Sequence, residues 1–422
     1  AAQTLMLFLK NATLIDWRTF KTTRGHLEVT QGPSGQARFA ARPARGARSF
    51  DCAGRIVPKS FVIAHHHLYS ALALGMPPAR RMPRSFIDML RLVWWNLDRR
   101  LDLDMIRACA LAGAFEAAKC GTTFIVDHHS SPRAARGSLE VIASALDEVG
   151  LGHLLCLELS DRDGPAARDK GLRESERYLS RRPGLVGLHA SFTVSDKLLR
   201  RAVELARGRD AGLHVHVAEG PEDQSLCIKR HGRRVLERFA AAGVLDFPKT
   251  LLAHGLHLNA AERRLFRQSP AWLVQNPESN RNNSVGELDD RGLGDRILLG
   301  TDGMHGDMLS SARAAYFAGR AEGAMTPLDS YRRLRRAHDY LESNGFPGDG
   351  SNNLVVLDYR PPTPITPENW VGHAAYSLGA EHVESVISQG RLIVENRRMT
   401  TIDENAVTAL ARRQARRLWD KL

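Results

Sequence analysis

The sequence predicts a (β/α)8 TIM barrel carrying a small accessory β-sandwich, and three observations predict it. Eight short apolar runs recur through the middle of the 422-residue chain, each followed by a stretch with helical spacing. Strand-like pieces separated by turn residues occupy both ends. Histidine and aspartate gather where the apolar runs stop, and the C-terminal rim of such a barrel is where active sites are assembled.

The first segment alternates in Leu5–Leu9, His26–Thr30 and Ser49–Cys52, broken by Gly-, Pro- and Arg-rich stretches. Near the other end, Asn353–Tyr359 and Val383–Val394 give similar strands, the latter with a turn at Gln389-Gly390-Arg391. The two ends are expected to form one sandwich from residues 1–56 and 353–422, closed by a helix that Asp403 caps. The barrel is expected over 57–352. Its strand candidates are Phe61–Ala64, Thr123–Val126, His153–Leu157, Leu185–Leu188, Leu213–Val217, Thr250–Ala253, Trp272–Val274 and Ile297–Leu299. Helical patterns such as Met105–Ala118, Lys197–Ala206 and Arg233–Ala242 lie between them. This repeated unit argues for a closed parallel barrel rather than an open doubly wound sheet.

With 43% hydrophobic and 25% charged residues, the composition is that of a globular protein and excludes general disorder. Lys and Arg exceed Asp and Glu by 59 to 47, a formal net charge of +12. The basic residues are scattered in short runs such as Arg233–Arg238 and Arg332–Arg336, which read as wet faces of amphipathic helices. Nucleic acid is therefore not the expected partner. The five cysteines are odd in number, widely spaced and without a Cys-x-x-Cys pair, so the sequence suggests neither a disulfide framework nor a zinc ribbon. No signal peptide opens the sequence and no apolar run approaches the ~20 residues that span a bilayer, so a cytoplasmic protein without membrane contact is expected.

The chemistry sits at the ends of the predicted strands. His65 and His67 are two apart, so they share one side of strand one while His66 turns away. Such a pair alone is a weak signal, since buried histidines with hydrogen-bond partners are common. His216 on strand five and Asp302 on strand eight complete three nitrogens and one carboxylate, a set that suits one zinc or ferrous ion and leaves a place for water. Glu219 would be an ordinary surface acid by itself. Beside a water whose pKa a metal brings towards ~7, it is a proton shuttle. His254 either orients the same water or is a satisfied structural histidine. Phe86, Trp94 and Trp95 lie between strand one and the first long helix, where they either close over a flat substrate or pack the helix.

These pieces together resemble the amidohydrolase superfamily, in its cytosine-deaminase-like and chlorohydrolase-like group. The matching segments include Ile56-Val57-Pro58 running into His65-His66-His67-Leu68-Tyr69-Ser70, and Gly121-Thr122-Thr123 before Asp127-His128-His129. They continue through His189-Ala190-Ser191-Phe192-Thr193, His214-Val215-His216-Val217-Ala218-Glu219, His254-Gly255, Asn276-Pro277-Glu278-Ser279-Asn280 and Thr301-Asp302-Gly303. Within the group, Trp94–Asp98 and Glu278–Gly286 look most like aminohydrolases encoded beside selenium-dependent molybdenum hydroxylases.

The resemblance implies His65, His67, His216 and Asp302 as ligands of one divalent metal. It implies Glu219, His254 and Asp302 as proton-handling groups and His189 as a substrate contact, with Trp95 a candidate beside it. No lysine ends the fourth strand, where dinuclear members carry a bridging carbamate. Two departures stand out: Lys59 replaces the glycine after Pro58, and the middle of the His-x-His motif is His66. The first is expected to alter the turn entering strand one. The implied reaction is hydrolytic deamination of a small amino-substituted N-heterocycle, such as a purine, pterin, pyrimidine or triazine, by a homo-oligomer. Chloride displacement, cyclic-amide opening and a catalytically silent binding barrel are the alternatives. The full proton-transfer set favours ammonia, because an amine must be protonated to leave and chloride need not be.

Overall fold

Apolar alternation at the two ends of the chain is realised as one mixed sheet of nine strands. The computed structural model describes residues 6–323 and 325–422. Leu5, the first residue of the first expected strand, lies outside them. The N-terminal part supplies β1 (Met6–Ile15), β2 (Thr22–Thr30), β3 (Ala37–Phe39), β4 (Arg48–Asp51) and β5 (Ile56–Pro58). One edge of β1 pairs antiparallel with β2. The other edge is shared, pairing parallel with β4 over Leu7–Lys10 and with β5 over Thr13–Ile15. The change of partner falls at an irregularity between Leu9 and Ala12, where Asn11 takes a φ of 52°, a left-handed conformation that asparagine tolerates.

The barrel strands follow: β6 (Phe61–His66), β7 (Thr122–His129), β8 (Gly152–Leu159), β9 (Val186–Ala190), β10 (Leu213–Val217), β11 (Leu251–His254), β12 (Trp272–Gln275) and β13 (Ile297–Leu299). They lie side by side in chain order and run parallel. Val62, Phe124, Leu154, Leu251, Val274 and Leu298 meet in one interior cluster. Their strand neighbours Ile63, Ile125 and Leu155 pack outward among the helices. Both faces are buried, which is why the strands read as unbroken apolar runs.

Closure is made at the rim: the Thr301 and Asp302 amides donate to the His65 carbonyl at 3.0 and 3.1 Å, and the His67 amide donates to Asp302 O at 3.1 Å. The backbone that completes the cylinder therefore also brings β6 and β13 together at their histidine- and aspartate-bearing ends. A Cβ on Gly300 would stand 2.4 Å from Asn276 Oδ1 and 2.8 Å from His65 O, so this close approach requires glycine.

The chain then returns to the first sheet with β14 (Leu354–Leu357), β15 (Val383–Ser388), β16 (Arg391–Glu395) and β17 (Arg398–Met399). Leu9, Val29, Val57, Val356, Ile387 and Leu392, from both ends of the chain, share one core. The Asp403 side chain caps the helix Glu404–Trp419, accepting from the Asn405 and Ala406 amides at 2.9 and 3.1 Å. Among the described residues, no helix is long and apolar enough to cross a membrane.

Two expectations need correcting. Arg233 and Arg332 face solvent, but Arg238, Arg333 and Arg335 are buried. The Arg335 guanidinium donates to Lys59 O at 3.0 Å and Ser60 O at 2.7 Å, and Arg238 donates to Ser191 O at 2.9 Å and Val194 O at 2.7 Å. Carbonyls at strand and loop ends need donors, and the guanidinium brings five. Lys59 does more than alter a turn: it is buried, and its Nζ lies 3.0 Å from Asp349 Oδ1 and 2.9 Å from Gly350 O. It ties the entrance of β6 to the segment that leads into β14.

Candidate active site

His66 and His67 diverge as strand alternation requires. His66 Nδ1 lies 2.8 Å from Thr301 Oγ1, away from the cavity. His67 Nδ1 donates to His128 O at 2.6 Å, and His216 Nδ1 donates to His189 O at 2.8 Å. These bonds fix both tautomers, so two Nε2 lone pairs face each other 3.1 Å apart. His65 Nδ1 meets His214 Nε2 at 2.8 Å, which leaves the buried His65 Nε2 without a protein partner. Asp302 Oδ1 stands 3.1 Å from His67 Nε2 and 3.8 Å from His65 Nε2. Converging lone pairs repel unless a cation or a proton lies among them. The three nitrogens and one carboxylate fit a divalent ion, and the carbonyls behind two of the rings orient them for it.

The electrostatics agree. Burial, and then the charge of His67, pushes His216 down to about 3, keeping it a neutral donor. Burial would lower His67 too, but the hydrogen bond and charge of Asp302 outweigh it and raise the ring to about 9. A divalent ion would take the place of that proton.

Two of the polar residues at the rim carry left-handed backbone: His254 at φ 74° and Asp302 at φ 52°. Such conformations cost on the order of 1–3 kcal/mol each in residues other than glycine and cluster at functional sites. His254 Nε2 is buried and unpartnered, 3.5 Å from Glu219 Oε2 and 3.8 Å from Asp302 Oδ2. Burial raises the Glu219 carboxyl to about 6; His254 opposes the rise and Asp302 adds to it. That places it where a carboxyl can both take and give a proton near neutrality.

A short helix, Pro277–Asn282, holds this machinery in place. Ser279 Oγ donates to Asp302 Oδ2 at 2.5 Å, and Asn280 Oδ1 accepts from His254 Nδ1 at 2.8 Å. Just beyond the helix, Asn283 Nδ2 donates to Glu219 Oε1 at 3.3 Å. The sequence marks this stretch only as part of a resemblance; its positioning role emerges from the fold.

Above these groups lies a cavity of about 610 Å³, its open mouth included. Phe86, Trp94 and Trp95 line it, carried by a helical segment whose middle, Leu90–Trp94, is a π-helical turn. They face the cavity rather than only packing a helix. His189 lines it too, with Nδ1 2.7 Å from Thr193 Oγ1 and the Trp95 ring edge-on at 5.8 Å. His65, His67, His216, Asp302, Glu219, His254, His189 and Trp95 are thus brought to one place. His257, three residues beyond His254, does not join them: its Nε2 turns to Val285 O at 2.9 Å. Missed from the sequence is a polar wall of Asp98, Ser130, Glu158 and Arg162 on the β7–β8 side.

A closed parallel barrel whose rim joins a divalent-ion donor set to buried acid–base groups defines a hydrolase of the water-activating class. The chain belongs to the amidohydrolase family, whose model matches residues 60–333, and is a hydrolase of carbon–nitrogen bonds. It is 27% identical over 417 residues to the 5-methylthioadenosine/S-adenosylhomocysteine deaminase of Pelotomaculum thermopropionicum, covering 93% of this chain and 92% of that one. Its fold matches an adenosine deaminase from Xanthomonas campestris with bound zinc, with a TM-score of 0.81, 18% identity and 98% of each chain covered. It also matches atrazine chlorohydrolase from Arthrobacter aurescens, complexed with zinc, with a TM-score of 0.79, 17% identity, and 97% of this chain and 100% of that chain covered.

Proposed function

We propose that the protein is a hydrolytic deaminase that releases ammonia from an amino-substituted N-heterocycle, with one zinc ion held by His65, His67, His216 and Asp302. The observation that carries this reading is the buried Glu219, set between His254 and Asn283 and raised to about 6. A divalent ion in this donor set supplies Lewis-acid activation of a water at neutral pH. Asp302 or Glu219 takes up the proton that the attacking water loses. Glu219 delivers a proton to the ring nitrogen beside the reacting carbon, so the ring accepts the electron pair of the broken π bond. His254 faces the position where charge develops. The hydroxyl proton of the tetrahedral carbon, relayed by Glu219 to the amine, lets ammonia leave as the ring carbonyl forms. His189 contacts the ring, and Phe86 and Trp95 exclude water from it.

Zinc in two fold neighbours supports the choice of metal, and the absence of a lysine at the end of β9 supports a single ion. The deaminase-named relative supports an amine leaving group, and the chlorohydrolase neighbour keeps chloride as the second reading. The segments Trp94–Asp98 and Glu278–Gly286 support a place among the selenium-associated aminohydrolases. The test is ammonia release by metal-replete enzyme across aminopurines, pterins, pyrimidines and triazines, run beside their chloro analogues. Ammonia from none of them, with chloride from some, would replace the reading with the second one.

A further inference from the structure

The polar wall on the β7–β8 side does nothing in the reaction just derived, yet it is built with care. Asp98 is fully engaged: Oδ2 accepts from Ser130 Oγ at 2.8 Å and from the Arg162 guanidinium, which also reaches Oδ1 at 3.3 Å. Glu158 is engaged on one oxygen only. Its Oε1 is within 3.2 Å of Ser130 Oγ and 3.4 Å of Arg162 Nη2. Its Oε2 accepts no hydrogen bond from any described residue, and His128 Nδ1 is 3.7 Å away. His128 Nε2 sits on the Leu188 and His214 carbonyls at 3.1 and 3.2 Å, which fixes the ring hydrogen there and turns a lone pair, not a donor, towards Oε2.

Glu158 lines the cavity, and one of its oxygens lies within 4.8 Å of a His216 ring nitrogen. Its partners come from β7 and its own loop, whereas Glu219 keeps company with β11 and the helix after β12. The two carboxylates therefore flank the reacting position from different sides. A substrate entering here strips water from Oε2. A charged acceptor left unpaired in such a place is costly, and a site built to bond an N–H rejects analogues that lack it.

Resting on the deaminase reading, we infer that Glu158 is a specificity-determining residue that accepts a hydrogen bond from a ring N–H, so that the substrate is a lactam-bearing base, an oxopurine or oxopyrimidine. Asp98 positions Arg162, and Arg162 holds Oε1 so that Oε2 stays turned to the ring.

The test uses rings that carry no amine, so that binding is read without turnover: hypoxanthine, xanthine and uracil, each against its N-methylated counterparts, titrated calorimetrically into zinc-loaded enzyme. The wild type is expected to bind the N–H form about 10-fold or more tightly than the form methylated at one particular nitrogen. In Glu158→Gln the Arg162 guanidinium retains the amide oxygen, which puts the amide NH2 where Oε2 stood and abolishes or inverts the preference. In Asp98→Asn the released Arg162 closes on Glu158, which weakens the N–H rings about 10-fold and leaves the methylated ones unchanged. This second variant decides the matter if the first fails to fold. A wild type that binds none of the lactams, or binds both forms equally, overturns the inference, as does a preference that survives in Glu158→Gln. Failure of the deaminase reading shows separately, as amino-substituted rings that bind but yield no ammonia.

Discussion

His254 gives its Nδ1 hydrogen to Asn280 Oδ1 at 2.8 Å, which leaves Nε2 as the atom facing Glu219 Oε2 at 3.5 Å and Asp302 Oδ2 at 3.8 Å. Asn280 thus selects the tautomer as well as the orientation of the ring. Asn280→Ala removes that selection without touching any atom of the proposed metal site. We expect kcat to fall about 10- to 100-fold, in the lower range of what acid–base groups contribute, with metal content unchanged. Steady-state kinetics and elemental analysis on one preparation check it. An unchanged kcat would mean that the strand geometry alone orients His254.

The ligand assignment makes a contrast within three consecutive residues. His65→Ala, like His216→Ala and Asp302→Ala, should lose the metal and the activity together, from about one equivalent per chain in the wild type. His66→Ala should keep its metal, because its ring lies against Thr301 at 2.8 Å and turns from the cluster. Metal loss in His66→Ala as complete as in His65→Ala would show that the motif has been read in the wrong phase.

Why one part of this site is legible in the sequence and another is not has a physical cause. His65, His67 and His216 sit at the ends of parallel strands and Asp302 just beyond one, where alternation and strand order narrow the side chains that can converge and the resemblance picks out the set. The Asp98–Ser130–Glu158–Arg162 wall has no such regularity; its members lie on different elements, and each is an ordinary residue in its own neighbourhood. Lys59 pairs with Asp349 across almost the whole barrel sequence, so neither residue announces the other. Arg333 and Arg335 look like solvated charges in the one-dimensional pattern. They are buried because the helix Pro327–Ser343 packs over β6 and β13, where Arg335 donates to the Lys59 and Ser60 carbonyls and Arg333 donates to Gln275 Oε1 at 2.6 Å. The split partnership of β1 with β4 and β5 was equally out of reach, since it depends on a local irregularity and not on apolar periodicity.

Asp223 allows a pH prediction that does not depend on the metal. It is buried, and its Oδ2 accepts from the Ala218 amide at 2.8 Å, holding the left-handed turn (φ 46°) between His216 and Glu219. Burial raises its carboxyl from 3.8 to about 7. Between those values the native state holds one proton more than the unfolded chain, so stability falls as pH rises through that window and levels off above it. The slope is on the order of 1 kcal/mol per pH unit. Asp223→Asn can keep the hydrogen bond from Ala218 but has no proton to lose. Denaturant midpoints at pH 5, 6, 7 and 8 should therefore show the variant gaining on the wild type up to about pH 7 and not beyond. A constant offset at all four values would remove Asp223 from the titration.

The leaving group itself can be read from Glu219. Expelling ammonia requires a proton on the amine as the tetrahedral carbon collapses, whereas chloride departs as an anion. Protonation of the ring nitrogen is common to both reactions. Glu219→Gln should keep the fold, because the amide oxygen can still accept from Asn283 at the present 3.3 Å contact. Deamination should fall about 100-fold or more, in line with what general acid–base groups supply. Chloride release from the matched chloro-heterocycle should fall less, since only the shared step is lost. The measurement is kcat/KM for both substrates in both enzymes, compared as free energies. Equal losses would confine Glu219 to the ring nitrogen and pass the amine's proton to another group, with Asp302 and His254 the nearest candidates at hand. Faster wild-type turnover of the chloro compounds throughout would make chloride the native leaving group, and the buried carboxyl at Glu219 would then serve ring protonation alone.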